Sequence, residues 1–214
     1  YCVENGLGLT KKQFAFHQVT KLRDTAIITL FLGTGIRISE LVGLNIDDID
    51  FKDSKRSSEV EQIIRRAIEN DYFQVYYQPI YSVEEKKIVS AEALIRLIDP
   101  EAGFVSPGEF IPIAEKNGQI IPIGDIVFKK VFEFIATNNI RQIGIDYVEI
   151  NLSVIQCMQR ELADNVLSMM KEYGVSEDMI NLEITETAVA ESPKALLDNM
   201  KALGDKGISF AFSI

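Results

Sequence analysis

Lys87-Ile88-Val89-Ser90-Ala91-Glu92-Ala93-Leu94-Ile95-Arg96-Leu97-Ile98 decides the fold. The run reads as a strand, and strand side chains alternate between two faces. Ser90, Glu92, Leu94 and Arg96 therefore share one face, with Glu92 set between Ala91 and Ala93 in an otherwise apolar run. A buried carboxylate is costly unless a cation or a donor meets it. Either an internal Glu92–Arg96 ion pair or a ligand explains it.

Outward from this strand, helix and strand alternate. A preceding strand over 73–80 joins it through the turn Glu84-Glu85-Lys86, and residues 59–69 form an amphipathic helix with Val60, Ile63, Ile64 and Ala67 on one stripe. Helices follow over 107–117, where Pro107 takes the first position, and over 123–137. Strands over 147–153, 180–186 and 208–212 alternate with helices over 161–173 and 192–203. Such alternation predicts a largely parallel sheet with helices outside it. A polar seam, Asp53-Ser54-Lys55-Arg56-Ser57-Ser58, separates this body from a small helical segment. That segment reads as helices over 22–32 and 38–44, broken by Gly33-Thr34-Gly35, with a short strand entering at 49–51.

The later strands repeat the pattern of the first. Tyr147, Glu149, Asn151 and Ser153 share one face; Asn181, Glu183 and Thr185 share another, and Glu186 follows next to the loop. Oxygen ligands near the C-terminal ends of parallel strands are where barrel sites form. Two carboxylates and an amide oxygen suit Mg²⁺ or Mn²⁺ rather than zinc, and the single histidine, His17, excludes a multi-histidine site. The bland alternatives are a turn-forming Asn151 and solvated strand ends at Glu183 and Glu186. Gln78 ends its strand beside Pro79, and Ser106-Pro107-Gly108-Glu109-Phe110 opens a helix whose N–H groups face either an anion or an ordinary cap. Cys157 and Met169-Met170 read as core.

The 214 residues carry a formal net charge of −10: residues 1–56 sum to +1 and residues 57–214 to −11. An acidic body argues against nonspecific binding to a phosphate backbone. Two cysteines imply no disulfide framework and suit a reducing compartment, so a cytoplasmic location is expected. The apolar stretch over 26–32 falls far short of the roughly 20 residues that span a membrane.

Taken together, Tyr77-Gln78-Pro79-Ile80, Glu92-Ala93-Leu94-Ile95-Arg96, Ser106-Pro107-Gly108-Glu109-Phe110-Ile111-Pro112-Ile113-Ala114-Glu115, Ile120-Ile121-Pro122-Ile123-Gly124, Asn151-Leu152-Ser153 and Leu182-Glu183-Ile184-Thr185-Glu186 resemble the EAL domain in order and spacing. The resemblance covers residues 57–214. It implies a partial TIM-like (β/α) barrel, an α/β fold, preceded by the helical segment 1–56. It also implies binding of cyclic di-GMP and its hydrolysis to linear pGpG with Mg²⁺ or Mn²⁺. By that resemblance Glu92, Asn151 and Glu183 are metal ligands, Glu92 and Glu186 serve catalysis, and Glu186 steadies a nearby loop. Gln78, Leu94, Arg96, Pro107 and Phe110 are substrate contacts, with Arg96 on a phosphate.

The sequence departs from that family at Phe212-Ser213-Ile214, where two metal-binding aspartates are expected. The expectation is therefore a binding-only or inactive site, with an unclosed sheet whose edge favours self-association. Leu22-Arg23-Asp24-Thr25-Ala26-Ile27 and Gly33-Thr34-Gly35-Ile36-Arg37-Ile38-Ser39-Glu40-Leu41 resemble the opening of a tyrosine recombinase (phage integrase) catalytic domain. Arg37 then matches its phosphate-holding arginine. No His-x-x-Arg follows it, so the alternative function is a noncatalytic DNA-contacting or interaction segment that uses this helix.

Overall fold

The computed structural model describes residues 51–185 and 194–213. The helices expected over 22–32 and 38–44, Arg37 and Glu186 lie outside the described residues.

Helix α1 spans Phe51–Asn70. It starts earlier than the apolar stripe predicted, and Phe51 is its first residue rather than the end of a strand. Charge pairs line its surface: Lys55 and Arg56 both approach Glu59, and Arg65 approaches Glu61. Pairs at this spacing support a polar helix surface. The predicted stripe is buried, with Val60, Ile64 and Ala67 fully covered. It packs into a cluster with Phe73, Leu97, Phe110 and Ile123.

Strand β1, Phe73–Ser82, pairs antiparallel with β2, Lys87–Asp99. A short strand that the sequence did not announce, β3, Gly103–Val105, folds back antiparallel on the end of β2. The corner between them is fixed by Asp99, whose buried carboxylate accepts Arg66 Nη2 at 2.9 and 3.0 Å and the N–H groups of Glu101 and Ala102. Burial alone would push this carboxyl up; the two backbone donors and the Arg66 guanidinium hold it below the usual carboxylate range.

Helix α2, Pro107–Asn117, and helix α3, Ile120–Thr137, lead to β4, Tyr147–Asn151. A four-residue helix, α4, Val154–Cys157, follows, then α5, Leu162–Tyr173, β5, Ile180–Thr185, α6, Lys194–Gly204, and β6, Ser209–Ser213. The sheet order is β1-β2-β4-β5-β6, and β2, β4, β5 and β6 run parallel. The expected mixed α/β architecture with a largely parallel sheet is what forms.

One face of the sheet is sealed. Ala91, Ala93, Val148, Ile150, Leu182 and Ile184 are buried in one cluster with Phe128, Phe132, Val166, Met170, Leu196 and Leu203 from the helices. A buried Leu, Ile or Phe contributes about 1.5–3 kcal/mol, and a one-residue slip would turn the whole set outward. This apolar parity therefore fixes which residues face the other side. Cys157 and Met170 are core, as read from sequence.

Candidate functional site

The open face carries a polar row that crosses five strands. In register, Gln78 stands opposite Glu92, Glu92 opposite Glu149, Glu149 opposite Asn181, and Asn181 opposite Ser209. One step further toward the parallel strands' C-terminal ends, Asn151 stands opposite Glu183. Asn151 Nδ2 donates to Glu92 Oε1 at 2.8 Å, which joins the two levels. Glu92, Asn151 and Glu183, proposed from three separate strands, thus come to one place.

Arg96 is not paired with Glu92. Its Nη1 donates to the Ile95 carbonyl at 2.8 Å, and its guanidinium lies over the Tyr76 ring, 5.8 Å from the centroid. Gln74 and Arg96 face each other in register, as do Tyr76 and Leu94, so Leu94 and Arg96 stand on the same face as Glu92. Gln78 is exposed there. Pro107 takes the first turn of α2, and Ser106 at its cap is extended and makes no side-chain cap bond. Phe110, expected as a substrate contact, is fully buried, 5.7 Å from the Phe73 ring, in the cluster that residues of α1, β1 and β2 build with it.

The electrostatics of this face favour positive charge. Glu149 is half-buried, and its carboxyl is pushed up first by burial, then by the charges of Glu183 and Glu92, against a Tyr147 hydrogen bond that lowers it. Two buried oxygens, the Ser90 hydroxyl, which can donate or accept, and Asn181 Oδ1, have no hydrogen-bond partner. Hard oxygens in excess of donors fit a hard divalent cation. Among the described residues, no three of His, Cys, Asp and Glu converge closely enough to hold a metal by themselves. Glu92, Asn151 and Glu183 therefore supply part of a coordination shell, not a closed one.

A cavity of about 200 Å³ opens beside Asn151 and Glu183, walled by Ile111, Ile120 and Phe128, with Glu115, Ser153 and Gln156 supplying its polar groups. Ser153 was expected to continue the strand. Instead β4 ends at Asn151, and Ser153 caps α4 in a reciprocal box with Gln156. The signal was present as Ser153-Val154-Ile155-Gln156, the Ser-x-x-Gln pattern of such a box. Glu149 was visible on the right face but carried no assigned role.

The EAL domain family model matches residues 61–213, and the Phage integrase family model matches residues 10–64. The signaling protein YkoW of Bacillus subtilis is 33% identical over 147 residues, covering 67% of this chain and 18% of YkoW. The probable cyclic di-GMP phosphodiesterase PdeG of Escherichia coli is 27% identical over 156 residues, covering 73% of this chain and 31% of PdeG. The chain thus spans less than a third of these relatives' lengths. A solved structure described as the PaMucR phosphodiesterase in complex with c-di-GMP superposes with a TM-score of 0.66 at 25% identity, over 72% of this chain and 62% of that one. Among the described residues, no helix is long and apolar enough to cross a membrane.

Proposed function

The chain belongs to the EAL domain family, and from that premise we propose that its open sheet face binds cyclic di-GMP with a divalent cation, as the first part of a phosphodiesterase site that yields pGpG. The convergence of Glu92, Asn151 and Glu183 on adjacent strands carries this reading. The names of PdeG and of the PaMucR complex support the ligand and the reaction.

Glu92 and Glu183 would hold Mg²⁺ or Mn²⁺ through carboxylates and Asn151 through its amide oxygen. A cation bound there neutralises charge on phosphoryl oxygens and makes a bound water more acidic. Arg96 donates one of its five N–H groups to Ile95, and the guanidinium suits a phosphate oxygen. Gln78 offers an amide beside Glu92, while Leu94 and Pro107 offer apolar surface to a base or ribose. Phe110 supports α2 from behind instead of touching the ligand. Glu186, outside the described residues, keeps only the loop-steadying role that the family resemblance implies.

Calorimetry of this chain with cyclic di-GMP and Mn²⁺ tests the reading, with chromatography for pGpG alongside. Binding heat is expected, and Glu92→Ala is expected to weaken it at least tenfold, a loss of about 1.4 kcal/mol. No heat from the unaltered chain, or heat that Glu92→Ala leaves unchanged, would overturn it.

The match over residues 10–64 supports a second reading, in which Arg37 contacts DNA. The acidic balance of the chain opposes it. Salt-dependent DNA binding that disappears in Arg37→Ala would favour it; binding indifferent to Arg37 would not.

A further inference from the structure

Asn151 is the last residue of β4, so its placement depends on how the chain is held just beyond it. Leu152 N donates to the Glu183 carbonyl at 2.8 Å, which carries the β4–β5 ladder one bond further. Ser153 Oγ donates to Oε1 of Glu115, a residue near the end of α2, at 2.7 Å. Ser153 N donates to Gln156 Oε1 at 2.9 Å, and the Gln156 amide fills the space that a side chain at Gly124 of α3 would take. Among the described residues the Glu115 carboxylate makes no ion pair and accepts from the Ser153 hydroxyl. Hydrogen bonds to a carboxylate are shorter and stronger than neutral ones, so this contact restrains the corner more than packing alone does.

We propose that Glu115 is a positioning residue: through Ser153 it holds the end of β4 so that Asn151 and Glu183 present their oxygens to one divalent cation. The same bond ties that place to α2, the helix that begins at Pro107. The inference rests on the cation reading given under Proposed function. It adds a residue that touches neither cation nor nucleotide and acts from across the cavity.

Mn²⁺ titration of the 214-residue chain, read by the paramagnetic resonance signal of free Mn²⁺, tests it without any need for turnover. Glu115→Ala and Ser153→Ala are each expected to weaken Mn²⁺ binding about 10–100-fold, the usual cost of removing a partner that orients a ligand. The double variant should be no weaker than Ser153→Ala alone, because Ser153→Ala already removes the bond to Glu115 together with the cap on Ile155 N. Glu115→Gln keeps an acceptor for the hydroxyl and loses only the charge assistance, so it should stay within about threefold of the unaltered chain. Circular dichroism melts establish that each variant is folded, and if Glu115→Ala unfolds, Ser153→Ala and Glu115→Gln decide the matter. Folded Ser153→Ala that binds Mn²⁺ like the unaltered chain, while Glu92→Ala does not, overturns the positioning role and leaves the cation reading standing. Additive losses in the double variant also overturn it. An unaltered chain that binds no Mn²⁺, or one that Glu92→Ala matches, overturns the cation reading and this inference with it.

Discussion

Glu149 is surrounded by its own kind of charge. It faces Glu92 directly in register, feels Glu183, and its carboxyl is pushed up by burial and by both neighbours. A raised carboxyl contributes stability only while protonated. That contribution is complete below the unfolded value of about 4.3 and is lost as pH rises through the higher folded value. At neutral pH the charge is a net cost to the cation-free chain. Glu149→Gln should therefore stabilise it at pH 7 by about 0.2–1 kcal/mol, the scale of a directly opposed cross-strand pair. The gain should shrink toward pH 4. Melting temperatures across that range check it, and an unchanged or lower value at pH 7 would contradict the electrostatic account. At this scale the sequence was informative wherever a period of two sufficed. Glu92, Asn151 and Glu183 declared their faces by alternation with apolar neighbours. The burial of Phe110 and the Arg96–Tyr76 contact were not legible, because both depend on which element packs against which.

Among the elements, the corner after β4 shows how much a single glycine permits. A Cβ at Gly124 would overlap Gln156 Nε2, the side chain whose oxygen closes the capping box on Ser153. Gly124→Ala gains helix propensity, worth up to about 1 kcal/mol, but must displace Gln156, and overpacking costs about 1–3 kcal/mol. The displacement should win, so Gly124→Ala is expected to destabilise. In a Gln156→Ala background the same change should become neutral or stabilising, and urea denaturation of the four chains measures the reversal. A cost that persists without Gln156 would show that another neighbour is responsible. Helix and strand order was legible at this scale because patterns of 3.6 and 2 are local. The extension of α1 through the seam was not, since its first turns carry no apolar stripe. Nor was the Glu115–Ser153 bond, which links distant parts of the chain and leaves no periodic trace.

Across the whole described molecule, the sheet presents β6, Ser209–Ser213, as an outer strand paired on one side by β5. Its Phe212 is 52% exposed. Strands with open backbone groups and apolar side chains recruit other strands. This chain is therefore expected to elute from size exclusion as a concentration-dependent dimer or larger species, and Phe212→Lys is expected to shift it toward monomer. A monomer at every concentration would remove the argument. The α/β class and the parallel direction of the later strands were legible from alternation alone. Which strands end up outermost was not, because that depends on pairing order rather than on any one strand's composition.

The cover over Cys157 turns one thiol into a clock. The side chain is 1% exposed, and burial pushes its thiol up to about 12. Asn199 of α6 clasps the surrounding loop, donating to the carbonyls of Cys157 and Gln159 at 2.9 and 2.7 Å. Alkylation needs a thiolate and a path to it, and the folded chain offers neither. At pH 8 iodoacetamide should therefore wait for α6 to lift, when the sulfur regains an ordinary value of about 8.5. Mass spectrometry of the modified peptide would count those openings, and Asn199→Ala should make them more frequent. Labelling at the rate of the denatured chain would mean that the latch does not hold.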